Sequence, residues 1–320
     1  MKKRIYITRR LPEEAVAPLR EQFDVRMWDL EGESVPRDVL LEEVASVHAL
    51  WTMLSDTIDE EVFERATELE VISNLAVGYN NIDLQAARER GIIVTNTPDV
   101  LTETTADLTF GLMMMTARRL GEAERDLRAG EWKSWLPMGY VGMDVHQATL
   151  GIIGMGRIGE AVARRARGFD MNVLYHNRTR RHESESMFGF VYSDLDGLLE
   201  KSDFVVLLAP LTEETRGMIG AEQLAKMKKT AILINVARGE MVDEQALYEA
   251  LKENRIWAAG LDVFAKEPID LNHPLLTLPN VTTLPHIGSA SIQTRLAMMA
   301  MNREAIANVL EGREPKNRVT

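Results

Sequence analysis

The 320 residues carry 37 basic and 49 acidic side chains, a formal net charge of −12, with 45% hydrophobic residues and no cysteine. That balance suits a globular protein long enough for two domains, and it excludes disulfide frameworks, zinc–thiolate sites, iron–sulfur clusters and cysteine nucleophiles. A net acidic surface also argues against duplex nucleic acid or an anionic membrane as partner, since both repel negative charge.

Residues 1–10 are basic but contain only a short apolar run, well below the roughly 7–15 apolar residues of a secretory leader. The longest stretch without Asp, Glu, Lys or Arg, 271–294, holds Pro274, Pro279 and Pro285 and reads as loop and strand rather than a membrane span. A soluble, cytoplasmic chain with no membrane and no nucleic-acid partner is expected.

Short β-rich runs alternate with amphipathic stretches from end to end, the pattern of parallel sheets with helical crossovers. Strands are expected at 4–8, 24–28, 49–53, 71–75 and 92–95, with a helix at 12–22 that has Pro12 in its first turn. A long helical run follows Pro98. From 108 to 117 it is apolar on nearly every face, so it needs cover on all sides, at a domain or subunit interface. Further strands are expected at 150–153, 172–176, 204–208, 231–236, 258–263 and 281–284, and a last helical run after Pro285 carries the chain to its end.

The segment Gly154-Met155-Gly156-Arg157-Ile158-Gly159 directly follows the strand at 150–153 and runs into a helix at 160–167. Gly154 suits a tight turn, Gly156 the close approach of a pyrophosphate, and Gly159 close packing of helix on strand. The helix N-terminus then offers free N–H groups to phosphate, so this is a dinucleotide-binding signature. The acidic residue that usually binds the adenosine ribose should end the next strand, about 20 residues on. No Asp or Glu occurs from 171 to 182; Asn177, Arg178, Thr179 and Arg180 stand there instead. Guanidinium groups favour a 2′-phosphate, so NADP(H) is the expected cofactor, with NAD(H) the lesser one. The two prolines then divide the chain into a dinucleotide-binding domain of 99–287 and a substrate domain of 1–98 and 288–320. A cleft between two such domains is a common place for a ligand.

Reducing a 2-oxo acid by hydride transfer needs a cation for the carboxylate, a proton donor for the carbonyl oxygen, and a partner for that donor. Arg238 follows an apolar strand, and its planar fork suits a bidentate carboxylate contact. Glu267 lies in the loop beyond the next strand, and His286 at the hinge after the last one. A carboxylate beside an imidazole favours the protonated ring, which can act as a general acid. Alone, each would suit a salt bridge or a satisfied backbone; the trio in order favours catalysis. The six histidines show no metal-ligand spacing, and Met113 to Met115 read as core.

In combination, the segments 154–159, 210–216, 234–240, 259–264 and 285–289 resemble the D-isomer-specific 2-hydroxyacid dehydrogenase family, in particular its glyoxylate/hydroxypyruvate and 2-ketogluconate reductases. The resemblance spans almost the whole chain. It implies two doubly wound parallel-sheet α/β domains, a Rossmann-type cofactor domain inserted in a flavodoxin-like substrate domain. It implies Arg238 as substrate anchor, Glu267 and His286 as the acid/base dyad, and substrate contacts at Leu54, Val77 and Gly78, the loop 75–80 holding the carboxylate through backbone N–H groups. Implied cofactor contacts are Gly154, Gly156, Arg157, Ile158, Gly159, Ala209, Pro210, Thr215, Val236, Ala237, Arg238, Asp262, His286, Gly288 and Ser289, with Asp262 near the nicotinamide amide. A homodimer built on the long helix after Pro98 is implied too, with Trp135 reaching the neighbouring subunit. Two departures stand out: Asn177-Arg178-Thr179 replaces the acidic end that selects NAD, and Ala148 replaces a lysine common in the family. A 3-phosphoglycerate dehydrogenase-like enzyme is a second reading, although only 34 residues follow His286, too few for a regulatory domain. Formate dehydrogenases pair the histidine with glutamine instead of Glu267. A dinucleotide-sensing corepressor-like binding protein is the alternative from another class, since such proteins retain the dyad.

Overall fold

The computed structural model describes residues 2–320; Met1, part of the N-terminal stretch read above, lies outside them. Two compact units make up the chain: one split in sequence, Met1–Leu101 with Ala290–Thr320, and one inserted within it, Thr102–Ser289. The split unit begins with β1 (Arg4–Ile7), α1 (Glu13–Gln22), β2 (Asp24–Met27), α2 (Arg37–Val44), β3 (Ala49–Thr52), α3 (Glu60–Arg65), β4 (Val71–Asn74), α4 (Leu84–Glu89) and β5 (Ile93–Thr95). Its sheet is wholly parallel in the order β2-β1-β3-β4-β5, the flavodoxin-like arrangement. Every residue of β3 and β4 is buried, as a parallel sheet covered on both faces requires. Asp59 and Asp83 cap α3 and α4 by accepting N–H groups of the first turn.

The inserted unit opens with α5 (Thr102–Ala117) and α6 (Leu120–Arg128). It continues through β6 (Thr149–Ile153), α7 (Arg157–Ala166), β7 (Asn172–His176), α8 (His182–Phe188), β8 (Val191–Tyr192), α9 (Leu195–Lys201) and β9 (Phe204–Leu207). Then come α10 (Ala221–Lys226), β10 (Ile232–Asn235), α11 (Glu244–Lys252), β11 (Ala258–Leu261) and β12 (Val281–Thr283). All seven strands are parallel, in the order β12-β11-β10-β9-β6-β7-β8. The chain starts mid-sheet at β6, runs out to β8, then crosses back to β9 and continues to β12. The crossing leaves a topological switch point between β6 and β9, beside whose carboxyl ends ligands bind in such sheets. Alternate residues feed two cores: Leu150, Ile152, Val206 and Ile234 one, Ile153, Val205, Leu207 and Leu233 the other.

The chain returns to the split unit as α12 (Ile292–Leu310), which packs on β3, β4, β5 and α1. This helix stops ten residues short of the end that the sequence assigned to it, and the tail turns back so that Val319 N donates to Val94 O. Two further details depart from the sequence reading. α7 begins at Arg157 rather than 160, because extended Gly156 serves as its N-cap (φ −87°, ψ −162°). β8 was not foreseen, since two residues show no alternation. α5 packs inside its own unit on α7 and on β10 to β12, and Leu108, Met114 and Met115 remain partly exposed on it. Close seating of α5 on the sheet depends on Gly260, where a Cβ would lie 2.5 Å from Thr116 Oγ1.

Candidate active site

The glycine loop lies at the switch point. Gly154 adopts φ +104°, and a Cβ there would sit 2.3 Å from Ala209 N, so only glycine allows the turn to pass β9. A Cβ on Gly159 would lie 2.3 Å from Gly154 O, whereas one on Gly156 would meet no protein atom within 4 Å. The backbone at Gly156 is therefore open to a pyrophosphate, with the first turn of α7, Arg157 and Ile158 included, behind it. These residues fit a dinucleotide.

The turn after β7 is more divided than its composition suggests. Asn177 braces the glycine loop: its Oδ1 accepts Met155 N at 2.7 Å and its Nδ2 donates to Met155 O at 3.2 Å. Arg180 is committed to Glu185, with N···O distances of 3.0 and 2.7 Å, and its guanidinium lies 5.1 Å from the centroid of the Tyr192 ring. Hydrogen bonds from Arg180, then from the Tyr175 hydroxyl, hold the Glu185 carboxyl at about 2. Arg178 and Thr179 are exposed, and Arg178 forms no hydrogen bond or ion pair among the described residues. On the other side of the switch point, Thr215 closes its own turn by donating to Pro210 O at 2.8 Å and accepting Thr212 N at 2.8 Å.

Beyond β10, Asn235 turns the chain. Its Oδ1 accepts Ala237 N at 3.0 Å and its Nδ2 donates to Arg238 O at 2.9 Å. The sequence reading did not include Asn235; an Asn at a strand end before a turn is the signal that could have found it. Val236 and Ala237 are buried, and Arg238 is half-buried, with its Nη1 donating to Ala237 O at 2.7 Å. Burial lowers the Arg238 guanidinium from its ordinary value, Glu267 and Glu240 oppose this, and the group stays cationic.

At the end of β11, Asp262 is 1% exposed and pins the hinge that carries His286. Its carbonyl accepts His286 N and its Oδ1 accepts Ile287 N, both at 2.8 Å. Burial pushes its carboxyl up, against the N–H groups of Ile287 and Gly288. His286 takes φ +53°, a left-handed conformation uncommon outside glycine. Its Nδ1 lies 2.6 Å from Glu267 Oε2, while Glu267 Oε1 accepts Phe264 N at 3.0 Å. Burial opposes ionisation of Glu267, but the His286 ring, the Phe264 N–H and Arg238 outweigh it and hold the carboxyl below the usual range. With Nδ1 engaged, Nε2 is the nitrogen able to pass a proton outward. Gly288 sits against Asp262 and Thr105, and Ser289 closes the inserted unit. Leu54, Val77 and Gly78 belong to the split unit, the first after β3 and the others in the turn after β4. Among the described residues no cluster of three or more His, Cys, Asp or Glu side chains could hold a metal, and no helix is long and apolar enough to cross a membrane.

Residues 110–288 match the family described as D-isomer specific 2-hydroxyacid dehydrogenase, NAD binding domain. The chain belongs to the D-isomer-specific 2-hydroxyacid dehydrogenase family. A glyoxylate reductase of Korarchaeum cryptofilum is 51% identical over 321 residues, covering 100% of this chain and 96% of that one. A solved protein of Thermus thermophilus superposes with TM-score 0.93 at 46% identity, covering 99% and 100% of the two chains. The NADPH-dependent glyoxylate/hydroxypyruvate reductase of Sinorhizobium meliloti, solved with NADP and malonate, gives 0.87 at 34%, covering 100% and 97%. The resemblance and the fold class read from the sequence are borne out, and this member of the dehydrogenase family is an NAD(P)-dependent oxo acid reductase.

Proposed function

We propose that this dehydrogenase reduces glyoxylate and the related 2-oxo acids hydroxypyruvate and 2-ketogluconate to their D-2-hydroxy acids, with NADPH preferred over NADH. The observation that carries the reading is the 2.6 Å His286–Glu267 pair, with Arg238 acting electrostatically on Glu267. The names of the Korarchaeum and Sinorhizobium relatives support the substrate class. When bound, the nicotinamide cofactor supplies the hydride. Arg238 binds the substrate carboxylate, and His286 delivers a proton from Nε2 to the carbonyl oxygen as negative charge develops there. Glu267 orients the imidazole through its 2.6 Å contact with Nδ1. Asp262 fixes the hinge, and Leu54, Val77 and Gly78 contribute substrate contacts. Arg178 and Thr179 are the groups for a 2′-phosphate, a cytoplasmic homodimer the working form.

Initial rates with NADPH and NADH against glyoxylate, hydroxypyruvate, 2-ketogluconate and pyruvate test this reading. The highest kcat/KM is expected for glyoxylate or hydroxypyruvate with NADPH. Absence of turnover on all four would remove the proposed substrate class. Equal efficiency with both cofactors at low salt would remove the cofactor preference.

A further inference from the structure

Three successive carbonyls in the turn after β4 are gripped by donors. Thr97 N donates to Ala76 O at 2.9 Å, Asn96 Nδ2 to Val77 O at 2.8 Å and Asn74 Nδ2 to Gly78 O at 2.9 Å. A trans peptide is planar, so its N–H points opposite to its C=O. Each grip therefore turns the next N–H away from the gripping group, namely those of Val77, Gly78 and Tyr79. None of the three donates a hydrogen bond among the described residues. Asn74 and Asn96 are buried, while Val77 and Tyr79 are 37% and 40% exposed.

The gripping amides are themselves fixed. Asn74 Oδ1 accepts Thr52 Oγ1 at 3.0 Å, and Asn74 Nδ2 also reaches Asn81 Oδ1 at 3.2 Å. Asn81 Nδ2 in turn holds Met53 O at 3.2 Å and Asp56 O at 2.9 Å. The backbone of Asn96 pairs with Asn317, N to O at 3.3 Å. Because a carbonyl oxygen can only accept, Val77 O and Gly78 O require the amide nitrogens of Asn96 and Asn74 to face them. A turn whose buried face is saturated and whose opposite N–H groups are unpaired is an anion-binding concavity.

We propose that Asn74 and Asn96 are positioning residues that aim the N–H groups of Val77, Gly78 and Tyr79 at the carboxylate of the 2-oxo acid. The inference rests on the function proposed above, which gives Val77 and Gly78 to the substrate; it adds Tyr79 N–H as a donor and names what aims all three. Asn96→Ala frees the peptide between Val77 and Gly78, and Asn74→Ala the one between Gly78 and Tyr79. Either variant is expected to raise the KM for glyoxylate about tenfold, with kcat within about threefold and the KM for NADPH unchanged. An unchanged glyoxylate KM in a folded variant overturns the proposal, as does a parallel change in the NADPH KM. Amide NMR of the parent enzyme with oxamate, a non-reducible isostere, gives a second readout independent of turnover and of variant folding. The signals of Val77, Gly78 and Tyr79 should move together on titration. Oxamate binding that leaves these three amides unmoved overturns the proposal. Failure of the parent to reduce any 2-oxo acid counts instead against the proposed function.

Discussion

His286 presents its ring from a left-handed backbone, φ +53°, that two hydrogen bonds to Asp262 hold in place. Such a conformation costs on the order of 1–3 kcal/mol and persists only where its surroundings enforce it. The hydrogen bonds to Asp262 offset that cost and leave the ring against Glu267. His286→Ala and Glu267→Gln should each lower kcat by roughly 10²–10⁴, the usual contribution of a general acid, and leave NADPH binding nearly unchanged. Stopped-flow or steady-state rates with cofactor titrations separate the two effects. For the cofactor turn, Arg178→Ala should weaken NADPH use by about tenfold to several-hundredfold and spare NADH, because one or two charge-assisted hydrogen bonds are lost. Arg180→Ala should do much less, since Glu185 already holds that guanidinium. The sequence showed a cluster of cations at this turn but not their pairing. Glu185 lies on a helix, and no motif marks its reach back to Arg180. The places of Arg238, Glu267 and His286 beyond strands β10, β11 and β12 were legible, because chain order reports position there. Asn74 and Asn96 were not, since their grip on the carbonyls of Gly78 and Val77 leaves no mark in the sequence.

Each glycine of the loop between β6 and α7 answers to a different neighbour, and substitution can tell them apart. Gly159→Ala drives a Cβ to 2.3 Å from Gly154 O, an overpacking that should cost roughly 1–3 kcal/mol and lower the Tm by several degrees. Gly156→Ala meets no protein atom. Its Tm should stay within a degree or so, while the Kd for NADPH, read by fluorescence titration, rises by about tenfold or more as backbone approach is blocked. α8 offers a pH test. The Glu185 carboxyl, at about 2, lies below its unfolded value. Its stabilising contribution is therefore complete above the ordinary carboxylate range and lost as pH falls toward about 2. The Tm difference between parent and Glu185→Gln should shrink steadily on acidification. Most elements could be read directly, because fully buried parallel strands appear as apolar runs, unbroken in β9 and interrupted only at the last residue in β3 and β10. The cover of α5 could not, because a sequence shows that an apolar face needs a partner but not which element supplies it.

At the scale of the whole chain, the apolar surface is concentrated. Leu120, Leu127, Trp132, Trp135, Leu136, Met138 and Val141 are all between 43% and 77% exposed, within α6 and the segment after it. A run of that kind marks an association surface, and the proposed homodimer gives it a use. Light scattering at micromolar concentration should give twice 36.0 kDa, and Trp135→Glu with Leu136→Glu should shift the mass toward the monomer. The interrupted order of the two units also sets a timetable for the growing chain. Strands β1 to β5 leave the ribosome before the inserted unit, yet α12, which packs on β3, β4 and β5, is made only after it. At roughly 5–20 residues per second, the intervening unit occupies on the order of ten to forty seconds of synthesis. During that interval the inserted unit has everything it needs to close, while the first sheet waits with one apolar face uncovered. Premature termination anywhere before α12 thus releases a nascent chain whose finished unit drags an unfinished, aggregation-prone one, and this enzyme's demand for chaperones should fall on strands β1 to β5.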